Sequence, residues 1–182
     1  LWAAPEEKAD PQKAKQILEE KKLLPIKFTL KVPNSSKIYL DTAQSIKEQL
    51  KEVGITVDLE IIEWATWLSD VYTNRKYEAS LAGLAGKMEP DAILRRYTST
   101  YAKNFTNFNN ARYDALIEEA KRTSNEAKQI ENYKEAQKIL AEEQAAIFLM
   151  DPNTIIATEK GLEGFEFYPL PYFNFAKLYF KK

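Results

Sequence analysis

Any acid–base chemistry in this chain must rest on carboxylates, lysines or tyrosines, because its 182 residues include no Cys and no His. That excludes thiol and imidazole nucleophiles, the usual zinc ligand sets and the commonest general base, so no metal or cofactor is expected. Gly86-Lys87, in GLAGKMEP, invites a phosphate-loop reading. Such a loop needs a glycine five residues before Gly86 and a Ser or Thr after the lysine; Leu81 and Met88 stand there, and the motif fails. The carboxylate pairs Glu118-Glu119 and Glu142-Glu143 sit among lysines on helical stretches and read as solvated, ion-paired faces. Asn34-Ser35-Ser36 and Asn104-Phe105-Thr106 fit the glycosylation acceptor pattern, which is frequent by chance.

Two tryptophans carry more information. Trp64 and Trp67 open the stretch EWATWLSDVYTNRKYEASLAGL, just past a run that reads as a strand. Toward the start of the chain, Asp10-Pro11 opens a short helix, with Asp10 as N-cap and Pro11 at its first position. Ile26, Phe28, Leu30 and Val32 then alternate with Lys27, Thr29 and Lys31, the period of a half-buried strand. Pro33-Asn34-Ser35-Ser36 ends that strand and offers a cap. Tyr39, Ala43, Ile46, Leu50 and Val53 share one helical face that Gly54 terminates. A second strand, Ile55 to Ile62, follows at once.

Strand, helix and strand with such short joints form a βαβ unit, which favours parallel strands and brings both strand ends to one sheet edge. In open α/β sheets that edge binds ligands, which makes Trp64 and the Asn34-Ser35 loop candidates for contact. Trp64 to Asn74 reads as a helix, with Trp67 against the sheet, and Tyr77 to Leu84 as a third strand. Glu89-Pro90-Asp91 opens a short helix through Ser99. Helices over 110–122 and 126–144, joined by Thr123-Ser124-Asn125, pack as an antiparallel hairpin. Ala145 to Met150 reads as a short buried strand, Asp151-Pro152-Asn153 as a turn and Thr154 to Glu159 as another strand. The tail GFEFYPLPYFNFAKLYF is dense in aromatics without a clean period, and so apolar a chain end must pack on something.

The totals describe a globular chain: 45% hydrophobic, 29% charged, Lys+Arg 26 against Asp+Glu 27. A net charge of −1 provides no field for nucleic acid, and no apolar run approaches the ~20 residues of a membrane span. No secretory signal opens the chain, and its start at Leu1 rather than Met reads as a processed product or an excised fragment.

Taken in order, ADPQKAKQILEE, a strand, AQSIKEQLKEVGITVDLEIIEWATWLSDVYTNRKYEASLAGLAG, EPDAILRRY, NFTNFNNARYDALIEEAKRTSNEAKQIENYKEAQKILAEEQAAIFLMDP and KGLEGFEF resemble the C-terminal lobe of the family 5 extracellular solute-binding proteins. These serve bacterial ABC importers and include dipeptide-, oligopeptide- and nickel-binding members. The resemblance covers nearly the whole chain and rests on the ordered set, not on one motif. It implies an α/β fold: a βαβ-containing mixed sheet flanked by helices, with the helical hairpin, forming one lobe of a two-lobed periplasmic-binding-protein-like fold. Residues 1–182 would then be a single ligand-binding lobe from a longer chain, with the tail from 160 to 182 returning toward a missing N-terminal lobe.

The resemblance also implies a ligand enclosed between lobes, with Glu89, the acidic residue before Pro90, anchoring a peptide amino group. The alternative for Glu89 is a favourable place at its helix N-terminus. Asn104, Phe105 and Asn107 match the Asn-aromatic segment that precedes the helical hairpin in the family and are candidates to reach the cleft, although packing of the loop onto the sheet suits Phe105 better. Trp64 falls at the cleft edge and Trp67 against the sheet. Two positions depart from the family: Gly83-Leu84 stands where Gly-Trp is common, and the loop PNSSK lacks the Arg of some dipeptide binders, with only Lys37 near.

The expected function is capture of a solute, a peptide or similar small molecule, and its delivery to the membrane permease of an ABC importer, outside the cytoplasm in a periplasm or lipid-anchored at the surface. Candidate ligand contacts are Glu89, Trp64, Asn34, Ser35, Lys87, Asn104 and Phe105; no catalysis is expected. Two rivals remain at this stage. One is an enzyme using Glu89 with Lys87 or Tyr97 as acid and base. The other is a stand-alone interaction module built on the hairpin and the aromatic tail.

Overall fold

The structure is a computed structural model that describes residues 9–152, 155–168 and 172–181. Two units emerge from it: a sheet unit made of residues 9–85 and 102–107, and a helical unit made of 86–101 and 108–181.

In the sheet unit, α1 (Pro11–Glu20) begins at Asp10, whose carboxylate accepts from the Lys13 N–H at 2.9 Å. β1 (Ile26–Pro33), α2 (Lys37–Glu52) and β2 (Ile55–Ile62) then form the expected βαβ unit. The two strands are parallel, with Ile26 opposite Ile55 and Pro33 opposite Ile62. The Ser36 hydroxyl accepts from the Ile38 N–H to start α2. Gly54 turns α2 into β2 at a φ of +87°, a left-handed conformation that a side chain disfavours.

The period-two alternation decides what each sheet face does. Phe28, Leu30 and Val32 of β1, with Ile55, Val57 and Leu59 of β2, pack against Tyr39, Ala43, Ile46 and Leu50 of α2 in one cluster. On the opposite face Lys27 pairs with Asp58 at 2.8 Å and Lys31 with Glu60 at 3.5 Å.

β2 leads through Glu63 into α3 (Trp64–Trp67), which continues as a π-helix over Leu68–Thr73. The helix expected over 64–74 is there, but its second half is wound wider. The Thr73 hydroxyl donates to the Leu68 carbonyl five residues back, at 2.9 Å, and both Trp67 and Val71 are buried. β3 (Ala79–Ser80) adds to β1 in parallel, giving the strand order β2-β1-β3. The third strand is therefore far shorter than the 77–84 expected. Gly83, beyond it, lies so close to Tyr39 that an added Cβ would fall 2.7 Å from the Tyr39 hydroxyl.

In the helical unit, α4 (Pro90–Leu94) runs into a 3-10 turn over Arg95–Tyr97. α5 (Ala111–Arg122) and α6 (Glu126–Glu142) form the antiparallel hairpin, capped by Asn110 and Asn125. Cross-links of descending register hold it: Arg112 to Glu135 at 2.6 Å, and the Gln129 amide donating to the Ala120 carbonyl at 2.8 Å. Tyr113, Ile117 and Ala120 of α5 meet Tyr133, Ala136, Ile139 and Leu140 of α6 in one core with Leu94. The fully buried Tyr113 donates its hydroxyl to the Leu94 carbonyl at 2.6 Å. Burial pushes that phenol far above its ordinary pKa, so it is a donor at every physiological pH.

Two strand expectations fail here. Residues 145–150 form no strand, and Ile147 and Phe148 are 77% and 61% exposed. Apolar composition marks a segment that needs cover, but it does not supply a strand partner, and among the described residues none pairs with it. Residues 155–159 are likewise without regular structure, while Asn153 and Thr154, from the expected turn and strand, lie outside the described residues. Antiparallel pairing occurs instead in a separate ribbon, β4 (Leu162–Glu163) with β5 (Tyr179–Phe180). Among the described residues no helix is long and apolar enough to cross a membrane, and no group of three metal-ligating side chains comes together.

Candidate functional site

The register of β1 and β2 dictates what stands at their carboxyl ends. Pro33 faces Ile62, so the next residues, Asn34 and Glu63, are neighbours. The Asn34 N–H donates to the Ile62 carbonyl at 2.9 Å, and its side-chain amide donates to Glu63 Oε1 at 2.5 Å. Ser35 is exposed in the same loop.

Trp64 follows Glu63, and α3 brings Trp67 beneath it, because residues three apart share a helical face. The two indoles stack with centroids 5.0 Å apart and planes 4° from parallel. Trp67 is 1% exposed, whereas Trp64 keeps 38% of its surface open. The Trp67 N–H donates to the Ser80 hydroxyl at 2.9 Å, which donates in turn to the Lys31 carbonyl at 2.9 Å. This relay ties the helix to β3 and β1, and it satisfies a buried indole donor.

On its other side Trp67 meets Phe105 edge-on at 5.8 Å and Tyr72 at 6.0 Å, and Tyr72 meets Phe105 at 5.4 Å. The Tyr77 hydroxyl donates to the Phe105 carbonyl and fixes the 102–107 segment; burial raises this phenol's pKa. Lys103 places its ammonium 5.8 Å from the Tyr72 ring centre. Asn104 is buried and accepts from the Thr106 hydroxyl at 2.8 Å. Asn104 thus shapes the loop, and Phe105 backs Trp67 from it.

The sheet unit brings together Asn34, Ser35 and Trp64 at its edge, with Phe105 and Asn104 behind. Lys87 and Glu89 belong to the helical unit, where both are exposed. Glu89 occupies the N-cap position of α4, but its side chain makes no capping hydrogen bond. Asp91, two residues on, has a buried Oδ1 without a hydrogen-bond partner, and its other oxygen lies 3.8 Å from Arg95. Burial raises the Tyr97 phenol, against the lowering effect of Arg96, so it is protonated at neutral pH and unsuited to act as a base.

Shallow depressions along α5 and α6 are lined by Glu118, Glu119 and Lys128, and these charges already have partners. Lys121 pairs with Glu118 at 2.7 Å and Lys128 with Glu119. Hydrogen bonds from the lysines hold both glutamates below the ordinary carboxylate range.

Sequence reasoning missed Glu63, Ser80, Tyr72 and Tyr77. Only strand register reveals the Asn34–Glu63 and Lys31–Ser80 neighbours, and only the folded chain brings Tyr72 to 5.4 Å from Phe105.

Comparison with known proteins places these features in a lineage. Residues 1–107 match the model for bacterial extracellular solute-binding proteins, family 5 Middle. The oligopeptide-binding protein AppA of Bacillus subtilis is 31% identical over 145 residues, which is 78% of this chain and 27% of AppA. The peptide transport periplasmic protein SapA of Haemophilus influenzae is 28% identical over 182 residues, 94% of this chain and 32% of SapA. The chain thus spans about a third of the length of the curated relatives it matches. Among solved structures, Bacillus subtilis AppA in complex with a nonapeptide superposes with a TM-score of 0.82 at 29% identity, covering 100% of this chain and 39% of that one. DppA of Helicobacter pylori, bound to a peptide, shares the fold with a TM-score of 0.78 at 23% identity, covering 95% and 35%. The fold is an α/β parallel sheet flanked by helices, as in the periplasmic binding proteins. AppA and DppA are named as binding proteins and SapA as a peptide transport protein, and they give no support to a stand-alone interaction module.

Proposed function

The chain belongs to family 5 of the bacterial extracellular solute-binding proteins, and from that premise we propose that it forms one lobe of a two-lobed receptor. The receptor captures a peptide or similar small ligand and delivers it to the membrane permease of an ABC importer. It works outside the cytoplasm, free in a periplasm or lipid-anchored, and it binds without catalysing a reaction.

The observation that carries this reading is Trp64, a 38% exposed indole backed by a buried stack at the carboxyl ends of β1 and β2. Open parallel sheets take ligands at that edge, and a rigid ring offers contact area at little cost in conformational entropy. Asn34 and Ser35 add hydrogen-bonding groups beside it, while Asn104 and Phe105 support the loop behind. Glu89 faces the ligand ammonium as a charge-assisted pair, and Lys87 serves a ligand oxygen. The second lobe lies on sequence outside this chain. The tail from residue 160 returns toward it, in keeping with Phe167, Phe175 and Phe180, which are 64%, 72% and 60% exposed.

Native and denaturing mass spectra of the natural full-length protein test the reading. A small molecule present in the first spectrum and lost in the second is expected; repeated preparations with nothing bound, and no peptide bound on titration, overturn it. Glu89→Gln is expected to weaken a peptide with a free amino terminus by about tenfold to a hundredfold, the range of a charged hydrogen bond. The same peptide N-acetylated should lose far less, and equal losses would remove Glu89 from the ammonium site.

A further inference from the structure

We infer that Glu63 and Trp64 form a recognition point for a cationic side chain, ammonium or guanidinium, on the ligand; this rests on the peptide-capture reading above. Several carboxylates of the sheet unit are ion-paired. Asp41, Glu48, Asp58, Glu60 and Asp70 each have a lysine nitrogen within 4.0 Å. Glu63, like Glu20 with the Gln16 amide and Glu78 with the Thr29 N–H, is held by a neutral donor instead. Its partner is the neutral amide of Asn34 at 2.5 Å, and among the described residues no basic side chain pairs with it.

Glu63 does not serve its helix either. It stands at the N-cap position of α3, yet its side chain makes no capping hydrogen bond. The Asn34 amide holds the carboxylate in place and engages one oxygen, Oε1. A carboxylate has lone pairs on both oxygens, so Oε2 is left to accept from a ligand.

The next residue supplies the second half of the point. Trp64 gives one face of its ring to Trp67 at 5.0 Å and keeps 38% of its surface open. A carboxylate and an indole face, adjacent in the chain and both exposed, suit one class of group. A cation donates a charge-assisted hydrogen bond to the first and is drawn by the ring quadrupole of the second. An anion is repelled by both, and a neutral alkyl group gains only the ring.

The test is calorimetric titration of the full-length protein with alanine pentapeptides carrying one Lys, Arg, norleucine or Glu, scanned through every position. At one position Lys and Arg are expected to bind about tenfold more tightly than norleucine, with Glu weakest, a factor that corresponds to ~1.4 kcal/mol. Raising the salt concentration should shrink this preference. Glu63→Gln keeps an acceptor for Asn34 and removes the charge, and it should remove most of the Lys-to-norleucine preference, leaving the share that the indole supplies. Trp64→Leu should lower that preference part of the way. No position preferring Lys, or a preference undiminished by Glu63→Gln, overturns the inference while leaving peptide capture intact. Failure of every pentapeptide to bind overturns both.

Discussion

In the helical unit the key aromatic, Tyr113, is fully buried and its hydroxyl is matched by the Leu94 carbonyl. In the sheet unit the key aromatic, Trp64, rests on a buried partner and keeps its outer face open. The charged groups divide in the same way. Glu118 and Glu119 of α5 are held by Lys121 and Lys128, whereas Glu63 at the sheet edge is held by an amide. The helical unit matches these particular groups internally, and the sheet edge presents two, Glu63 and Trp64, whose pairing is incomplete. Incomplete pairing costs least where it is exposed, since a buried unmatched group costs roughly 1–3 kcal/mol. The sheet edge is therefore where binding can be built without loss of the fold.

The sharpest way to break this comparison is to remove the buried member of the tryptophan pair. Trp67→Ala opens a cavity and strips Ser80 of its indole donor, and it should destabilise by about 3–5 kcal/mol in urea unfolding. Trp64→Ala removes a half-open ring and should cost about 1–2 kcal/mol, mostly from lost stacking. Equal costs would mean that Trp64 is as structural as Trp67. Next in size is Tyr113→Phe, which leaves the buried Leu94 carbonyl without the phenol donor; a loss of about 1–3 kcal/mol is expected by the same measurement. A neutral result would show that water reaches that carbonyl and that the helical core is less closed than Tyr113 implies.

The smallest effect concerns pH. Glu118 and Glu119 are held below the ordinary carboxylate value of 4.5, and Lys121 and Lys128 above the ordinary lysine value of 10.5. A depressed carboxylate contributes stability above its unfolded value and loses it as pH falls through the folded one. A raised lysine contributes below its unfolded value and loses it as pH rises through the folded one. The hairpin contribution should therefore be flat between the two ordinary values and decline outside them. Because these groups are exposed, the decline should be slight and salt-sensitive. Melting temperatures across pH, with and without Glu119→Gln, check it; a wild-type curve no steeper in acid than the variant's would remove the Glu119 pair from the account.

Much of the fold was legible because local chemistry and period agree. Asp10, Ser36 and Gly54 mark helix ends that the structure keeps, and the 26–32 alternation separates the packed sheet face from the ion-paired one. The site was legible only in part. Asn34, Ser35 and Trp64 follow from the direction of the parallel strands, but Glu63 becomes a neighbour of Asn34 only through register, which hydrophobic period leaves open. The π turn was hidden, because Trp67, Val71 and Tyr72 satisfy α and π spacing alike. The 145–150 segment misled because an apolar run reports a need for cover and not the identity of the cover.

The stacked indoles have an optical consequence. Trp67 sits in a dry setting with its N–H bound to Ser80, while Trp64 meets solvent, so one tryptophan should emit as a buried fluorophore and its neighbour as a wet one. Anything that settles on Trp64 shields it from acrylamide and shifts its emission toward the blue, while Trp67 stays silent. Once the third tryptophan, Trp2, is replaced by Phe, the sheet edge carries its own label-free gauge of occupancy, calibrated by the residue stacked beneath it.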